Sequence, residues 1–223
     1  MMKTIEFTRI TFPEIHLPTR SAHHLRGYFG NFFREHSPLL HNHFDDGKLR
    51  YSYPLVQYKI PDGLPTLIGI GEGAPLLVSL FTQIRELDIE GRVFPIYHKN
   101  VLFEKVEIGF TPSALQTYRF YTPWFALSQD SWREYLKEDD EQRSHHLNRI
   151  LTGNILSFFK GVGLYLELSE RILLTAQTED REANFENKRV KVFDGQFTTN
   201  VLLPNLIGLG KAVSRGFGTI TRM

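Results

Sequence analysis

The fold is decided by an order of elements that begins in residues 3–33, KTIEFTRITFPEIHLPTRSAHHLRGYFGNFF. Residues 3–12 alternate polar and apolar side chains, with Ile5 and Phe7 on one side, which predicts a half-buried strand. Ser21 then offers an N-cap for a helix, because apolar residues after it recur at helical spacing. Those residues are Leu25, Tyr28, Phe29, Phe32 and Phe33.

The next elements complete a recognisable order. A strand is predicted over residues 51–60, and Pro61-Asp62-Gly63 forms the turn that ends it. A short apolar strand follows at 66–70, then a helix at about 74–87, then a pair of strands between 92 and 108. The predicted stripe of this second helix is Leu76, Leu77, Leu80, Phe81, Ile84 and Leu87. The order β-α-β-β-α-β is the ferredoxin-like signature.

The second half begins in a similar way and then departs from this order. Residues 114–121 are predicted as a strand, and the polar stretch 129–143 leads into a long amphipathic helix. Three strands are predicted next, at 171–177, 188–193 and 196–203. A glycine-rich loop and a short final strand end the chain.

A boundary near residue 111 divides the chain into two small α+β domains, residues 1–110 and residues 111–223. The net charge of +1 argues against a protein that coats duplex DNA non-specifically, although it permits a local basic groove. The N-terminal residues alternate between polar and apolar, which predicts a strand rather than a signal peptide. No run approaches the ~18 apolar residues that a membrane span needs. The absence of cysteine excludes disulfides and thiol chemistry and fits a cytoplasmic protein.

The most specific motif is the C-terminal loop of residues 208–218, GLGKAVSRGFG. Glycines allow backbone amides to approach a phosphate closely, and Lys211 and Arg215 add positive charge where an anionic backbone would run. The alternative is a flexible turn near the C-terminus. The residues predicted to bind the anion are Gly208, Gly210, Lys211, Ser214, Arg215, Gly216 and Gly218.

This G-x-G-x5-G-x-G loop resembles that of the CRISPR-associated RNA-binding superfamily. Three further stretches are similar to one branch of the CRISPR repeat-cleaving endoribonucleases: LRGYF at 25–29, LLHNH at 39–43 and YSYPLVQYK at 51–59. The resemblance implies an α+β protein with two tandem ferredoxin-like (RRM-like) domains. It involves both ends of the chain, while residues 110–200 offer no matching motif.

The resemblance also implies a reaction that needs neither metal nor cofactor. A ribose 2′-hydroxyl attacks the adjacent phosphate of CRISPR repeat RNA, leaving a 2′,3′-cyclic phosphate and a 5′-hydroxyl. His43 is predicted as the acid/base residue, His41 as its partner and Tyr51 as the residue that orients the hydroxyl, because histidine exchanges protons near neutral pH. Lys211 or Arg215 is expected to stabilise charge on the phosphate.

Several alternatives stay open. His23 and His24 lie where some relatives are thought to place a catalytic histidine, but as first-turn residues they are expected to be solvated. A chain with the same fold and loop can instead be a non-catalytic RNA-binding subunit. A metal-dependent hydrolase would use His41, His43 and Asp45.

Other contacts are less determined by the sequence. Further CRISPR-associated subunits and a second copy of the chain are open as partners, and no membrane contact is expected. His145 and His146 are predicted on the exposed face of the long helix.

Overall fold

The structure is a computed structural model that describes residues 1–32, 53–185 and 188–223. The chain divides into two compact units. The N-terminal unit consists of Thr4–Val106 and Ser214–Gly216. The C-terminal unit consists of Met1–Lys3, Glu107–Val213 and Phe217–Met223.

The described residues of the first half of the chain form six strands and two α-helices. In order they are β1 (Met2–Thr11), α1 (Ala22–Phe32), β2 (Val56–Lys59), β3 (Thr66–Ile70), α2 (Gly73–Leu80), β4 (Glu86–Ile89), β5 (Arg92–Pro95) and β6 (Asn100–Phe110). Four of these strands lie in the order β6-β1-β3-β2 in the larger sheet. β3 is antiparallel to both β1 and β2, and β4 and β5 form a separate hairpin. With that hairpin as an insertion, this is the ferredoxin-like strand order.

The core of the N-terminal unit lies between α1, α2 and the sheet. Phe29 from α1 stacks on Tyr58 from β2, with ring centroids 5.7 Å apart. Leu25 of α1 and Leu67 of β3 are fully buried in the same cluster. The alternation predicted for β1 is confirmed at Ile5 and Phe7, which are both buried.

Two predictions for this half are wrong in detail. The helix predicted to reach residue 87 ends at Leu80, and after a 3-10 turn Leu87 lies in β4. Leu87 is fully buried, but alternation along β4, not helical spacing, places it in the core. Ser21 does not act as an N-cap, because it is the buried last residue of a 3-10 turn that runs directly into α1.

The second half forms a second ferredoxin-like sheet. The elements of this half are β7 (Gln116–Phe120), α3 (Gln129–Tyr135), α4 (Asp140–Gly161), β8 (Leu174–Phe185), β9 (Lys188–Thr199), β10 (Val201–Leu202) and β11 (Ile220–Arg222). β10 pairs with β6 of the first sheet, and the other four strands form the second sheet. The strand order is β11-β7-β9-β8, which repeats the order of the first sheet. Residues 203–219, where the second helix of such a domain would lie, contain only one 3-10 turn, Val213–Arg215. The α+β fold with two tandem ferredoxin-like domains is therefore confirmed.

The two strands predicted at 188–193 and 196–203 are mostly one strand, β9, followed by the short β10. Gly195 was part of a predicted break, but it continues the pairing opposite Thr178 of β8. A Cβ at Gly195 would collide with the Gln177 carbonyl, and its φ is +135°. Glycine is needed here for the close approach of β8 and does not make a turn.

Candidate functional site

The three residues predicted to catalyse the reaction, His41, His43 and Tyr51, lie outside the described residues. Asp45, which the metal-dependent alternative requires, lies there too. Their roles therefore stay predictions. Among residues 1–32, 53–185 and 188–223, no group of three His, Asp or Glu side chains could hold a metal ion.

The alternative histidines are described, and they differ from one another. His23 is exposed, as predicted, and its Nδ1 lies 2.6 Å from the Arg20 carbonyl oxygen. His24 is only partly exposed, so the prediction of a solvated residue is wrong for it. Its Nε2 lies 3.3 Å from a carboxylate oxygen of Glu90, and the two imidazole centroids are 3.7 Å apart. Burial, with His23 as a second cause, lowers the pKa of His24 although Glu90 opposes the change, which favours the neutral ring.

These histidines border an open cavity of about 610 Å³ on the N-terminal unit. One wall is a face of α1 and the other is the hairpin of β4 and β5, which contributes Asp88 and Glu90. The hydroxyl of Tyr28 donates to the Glu86 carbonyl at 2.8 Å and so ties α1 to β4. The two carboxylates make this cavity a poor place for a phosphate, so we do not place the RNA backbone there.

One buried lysine was not singled out from the sequence. Lys59 at the end of β2 is 1% exposed, and burial lowers its pKa to about 7. It follows Tyr58, which is also buried and whose pKa burial raises well above its usual range. Lys59 lies between Tyr58 and Ile60 in a strand that also contains Gln57, so the sequence offers no local signal that the lysine is buried. An alternating pattern alone does not reveal that both faces of β2 are covered.

The glycine-rich loop, residues 208–218, is packed tightly against the protein at its glycines. Gly210 has a φ of +99°, and a Cβ there would lie 2.7 Å from Nε1 of Trp124. Gly218 has a φ of +61°, and a Cβ there would collide with the Leu209 carbonyl. Gly208 is similarly closed by Val213. These positions require glycine for the conformation of the loop itself.

Three backbone amides of the loop are already used within the C-terminal unit. The Lys211 amide donates to the Phe125 carbonyl at 2.8 Å, and the Gly218 amide donates to the Pro123 carbonyl at 2.8 Å. The Leu209 amide donates to the Gly218 carbonyl at 2.9 Å. These three amides are therefore engaged within the protein, and their bonds hold the loop in a fixed conformation.

The predicted basic residues of the loop are divided between the two units. Lys211 belongs to the C-terminal unit, where it is exposed and its ammonium lies 5.9 Å from the centre of the Phe125 ring. Ser214, Arg215 and Gly216 belong to the N-terminal unit. A Cβ at Gly216 would lie 2.8 Å from that of Ala22 in the first turn of α1.

Arg215 has a second arginine as a neighbour. Partial burial lowers the pKa of Arg215, and the charge of Arg26 on α1 lowers it further. The first turn of α1 contains no acidic residue. This edge of the N-terminal unit is therefore positively charged and suits an anion.

His145 and His146 were both predicted to be exposed on α4. His145 is exposed, but the side chain of His146 is only 11% exposed. Its Nδ1 lies 2.8 Å from Oε1 of Glu138, so the prediction is wrong for His146. No described helix is long and apolar enough to cross a membrane.

Comparison with solved structures first defines the class of protein. A structure described as CRISPR associated protein Cas6 covers 99% of the chain with a TM-score of 0.55 at 11% identity, which shows the shared fold. A crystal structure of Cas6b is much more similar, with a TM-score of 0.91, 34% identity and coverage of 99% of this chain and 100% of that one. A second crystal structure, of the CRISPR RNA processing endoribonuclease Cas6b, has a TM-score of 0.79 and 31% identity over 99% of this chain and 100% of that one.

Sequence comparison then gives the family. The family model of the Cas6b N-terminal domain matches residues 3–107, and that of the Cas6b C-terminal domain matches residues 111–223. An uncharacterised protein of Methanocaldococcus jannaschii is 31% identical over 148 residues, which are 65% of this chain and 97% of that protein. The chain belongs to the Cas6b family of CRISPR RNA processing endoribonucleases.

Proposed function

We propose that this protein cuts CRISPR precursor RNA within its repeats and needs no metal or cofactor to do so. The observation that carries the proposal is similarity along the whole chain. A relative described as the CRISPR RNA processing endoribonuclease Cas6b is 31% identical over 99% of the chain. The matched family models together span both halves.

In the proposed reaction the ribose 2′-oxygen attacks the adjacent phosphorus while a base removes its proton. The bond from phosphorus to the 5′-oxygen breaks, and an acid gives that oxygen a proton. The products are a 2′,3′-cyclic phosphate and a 5′-hydroxyl. His43 and His41 supply the acid and the base, in an order that the sequence leaves open, and Tyr51 orients the 2′-hydroxyl. This assignment is supported by the resemblance of LLHNH and YSYPLVQYK to the family's motifs.

Charge on the phosphate has to be stabilised in the transition state. Lys211 or Arg215 is the loop residue we propose for this, and Arg26 adds to the positive charge beside Arg215. We also propose the division into residues 1–110, with the catalytic histidines, and residues 111–223, with the glycine-rich loop.

A single 2′-deoxy substitution tests this function. Repeat RNA and the same RNA lacking the 2′-hydroxyl next to the cut are incubated with the protein, and binding and cleavage are measured separately. We expect both RNAs to bind and only the unmodified RNA to be cut. Binding of both without cleavage would instead identify a non-catalytic RNA-binding subunit, and cleavage of the deoxy RNA would contradict the proposed chemistry.

Beyond repeat RNA, the resemblance leaves two classes of partner as proposals: other CRISPR-associated subunits and a second copy of this chain. The native mass of the RNA complex distinguishes them when it is measured for the purified protein with RNA and then for the complex isolated from cells. A mass of one chain plus one RNA would exclude both.

A further inference from the structure

Three phenylalanines from separate parts of the C-terminal unit meet beside the glycine-rich loop. Phe125 follows β7, Phe185 is the last residue of β8, and Phe217 lies in the loop. The ring centroids are 5.7 Å apart for Phe125 and Phe185, 5.8 Å for Phe125 and Phe217, and 5.5 Å for Phe185 and Phe217. All three residues are partly exposed. We call these three side chains the aromatic platform.

The platform differs from the core beneath it. Trp124 is fully buried and stacks on Phe120, with ring centroids 5.3 Å apart and an interplanar angle of 2°. Its Nε1 donates to Asn154 at 3.0 Å, which fixes the indole. Phe125, the next residue, extends from this rigid base and remains partly exposed.

The glycine-rich loop holds the platform in position. The Phe125 carbonyl accepts the Lys211 amide at 2.8 Å, and Gly218, next to Phe217, donates to Pro123 at 2.8 Å. The close packing of Gly210 on Trp124 belongs to the same support. A surface whose rings are fixed before binding loses little conformational entropy when a flat ligand stacks on it.

Positive charge borders the platform. The Lys211 ammonium lies 5.9 Å from the centre of the Phe125 ring, and exposed Lys188 is the direct β9 partner of Phe185. On β8, the acidic Glu182 is engaged by Arg189 at 3.4 Å. Exposed aromatic rings flanked by cations are the features that bind unpaired nucleotides, whose bases stack on the rings while phosphates face the cations.

We propose that the aromatic platform binds an unpaired nucleobase of the RNA, with Lys211 and Lys188 facing the adjoining phosphates. The proposal rests on the proposed function, because it takes repeat RNA as the ligand. It also gives the glycines of the loop a second role, since they position the rings that contact the base.

Leucine substitutions separate stacking from simple packing. Phe217→Leu and Phe125→Leu keep most of the apolar volume but remove the aromatic face. We expect each variant to bind single-stranded repeat RNA at least about fivefold more weakly, because one stacked base is worth ~1–3 kcal/mol. Phe217→Trp should restore binding. The control is Phe103→Leu, since Phe103 on β6 is an exposed phenylalanine outside the platform, and thermal melts verify folding of every variant.

An abasic scan of the RNA then locates the contact. Removing the stacked base should weaken binding to the wild type about as much as Phe217→Leu does, and should have no further effect on Phe217→Leu. A second measurement needs only the wild-type protein. 2-Aminopurine placed at the position of the stacked base should lose fluorescence when the RNA binds.

The outcomes are distinct. Leucine variants that fold and bind as the wild type does would overturn the proposal, as would unquenched 2-aminopurine at every position. A wild type that binds RNA but never cuts it would contradict the proposed function, while the same binding scan would still decide whether the platform stacks a base.

Discussion

Lys59 gives a prediction whose sign and size follow from its burial. Its ammonium is covered on every side, and the pKa falls from 10.5 to about 7. At about 1.4 kcal/mol for each pKa unit, this difference of about 3.5 units corresponds to at most ~5 kcal/mol of destabilisation when the folded protein holds the proton. Below pH 7 both the folded and unfolded states are protonated, so the full destabilisation applies. Between pH 7 and 10.5 only the unfolded state holds the proton, so the free energy of unfolding rises with pH.

Lys59→Met removes this titration and keeps the side-chain volume. We expect the free energy of unfolding of the wild type, relative to that of the variant, to rise by about 1.4 kcal/mol per pH unit above pH 7 and to be constant below it. Urea unfolding of both proteins from pH 6.5 to 9.5 measures the difference. Lys137→Met is the control, because Lys137 is exposed and its substitution should show no such trend. A difference between wild type and Lys59→Met that is constant with pH would refute the reasoning.

Three further predictions concern the site. His43→Ala should slow single-turnover cleavage by about 10²-fold or more with a far smaller loss of affinity, and His41→Ala should be milder; equal losses of rate and affinity would make His43 a contact. Gly218→Ala should lower the free energy of unfolding by at least ~2 kcal/mol, because φ is +61° and a backbone carbonyl occupies the Cβ position; an unchanged urea midpoint would contradict this. Lys211→Ala and Arg215→Ala should each flatten the slope of log affinity against log salt by about 0.7, and unchanged slopes would exclude phosphate contacts.

Much of the fold follows from local patterns. The limits of β3 are as predicted, because a short apolar run is bounded by Pro65 and Gly71. The turn after β2 is also as predicted, because Pro61 and Gly63 end the strand. The helix predicted to reach Leu87 was too long, because the apolar residues from the 3-10 turn to β4 have the same spacing as a helical stripe. The strand break predicted at Gly195 was wrong because glycine is needed there for the close approach of β8, which is not visible in the local sequence.

The glycine-rich loop was found from its sequence, but its contacts were not. Spacing alone predicts positive φ and close approach, and it does not say whether the close neighbour is an RNA phosphate or Trp124 of the same chain. The burial of Lys59 and the meeting of Phe125, Phe185 and Phe217 depend on residues distant in sequence. A single sequence without these contacts offers no local signal for them.

The most direct test of the central claim is cleavage of the repeat RNA in excess EDTA, with the ends of the products identified by mass. We expect unchanged single-turnover cleavage and a 5′ fragment that carries a 2′,3′-cyclic phosphate. Loss of cleavage in EDTA that a divalent ion restores, with a linear phosphate on the product, would contradict metal-free attack by the 2′-hydroxyl.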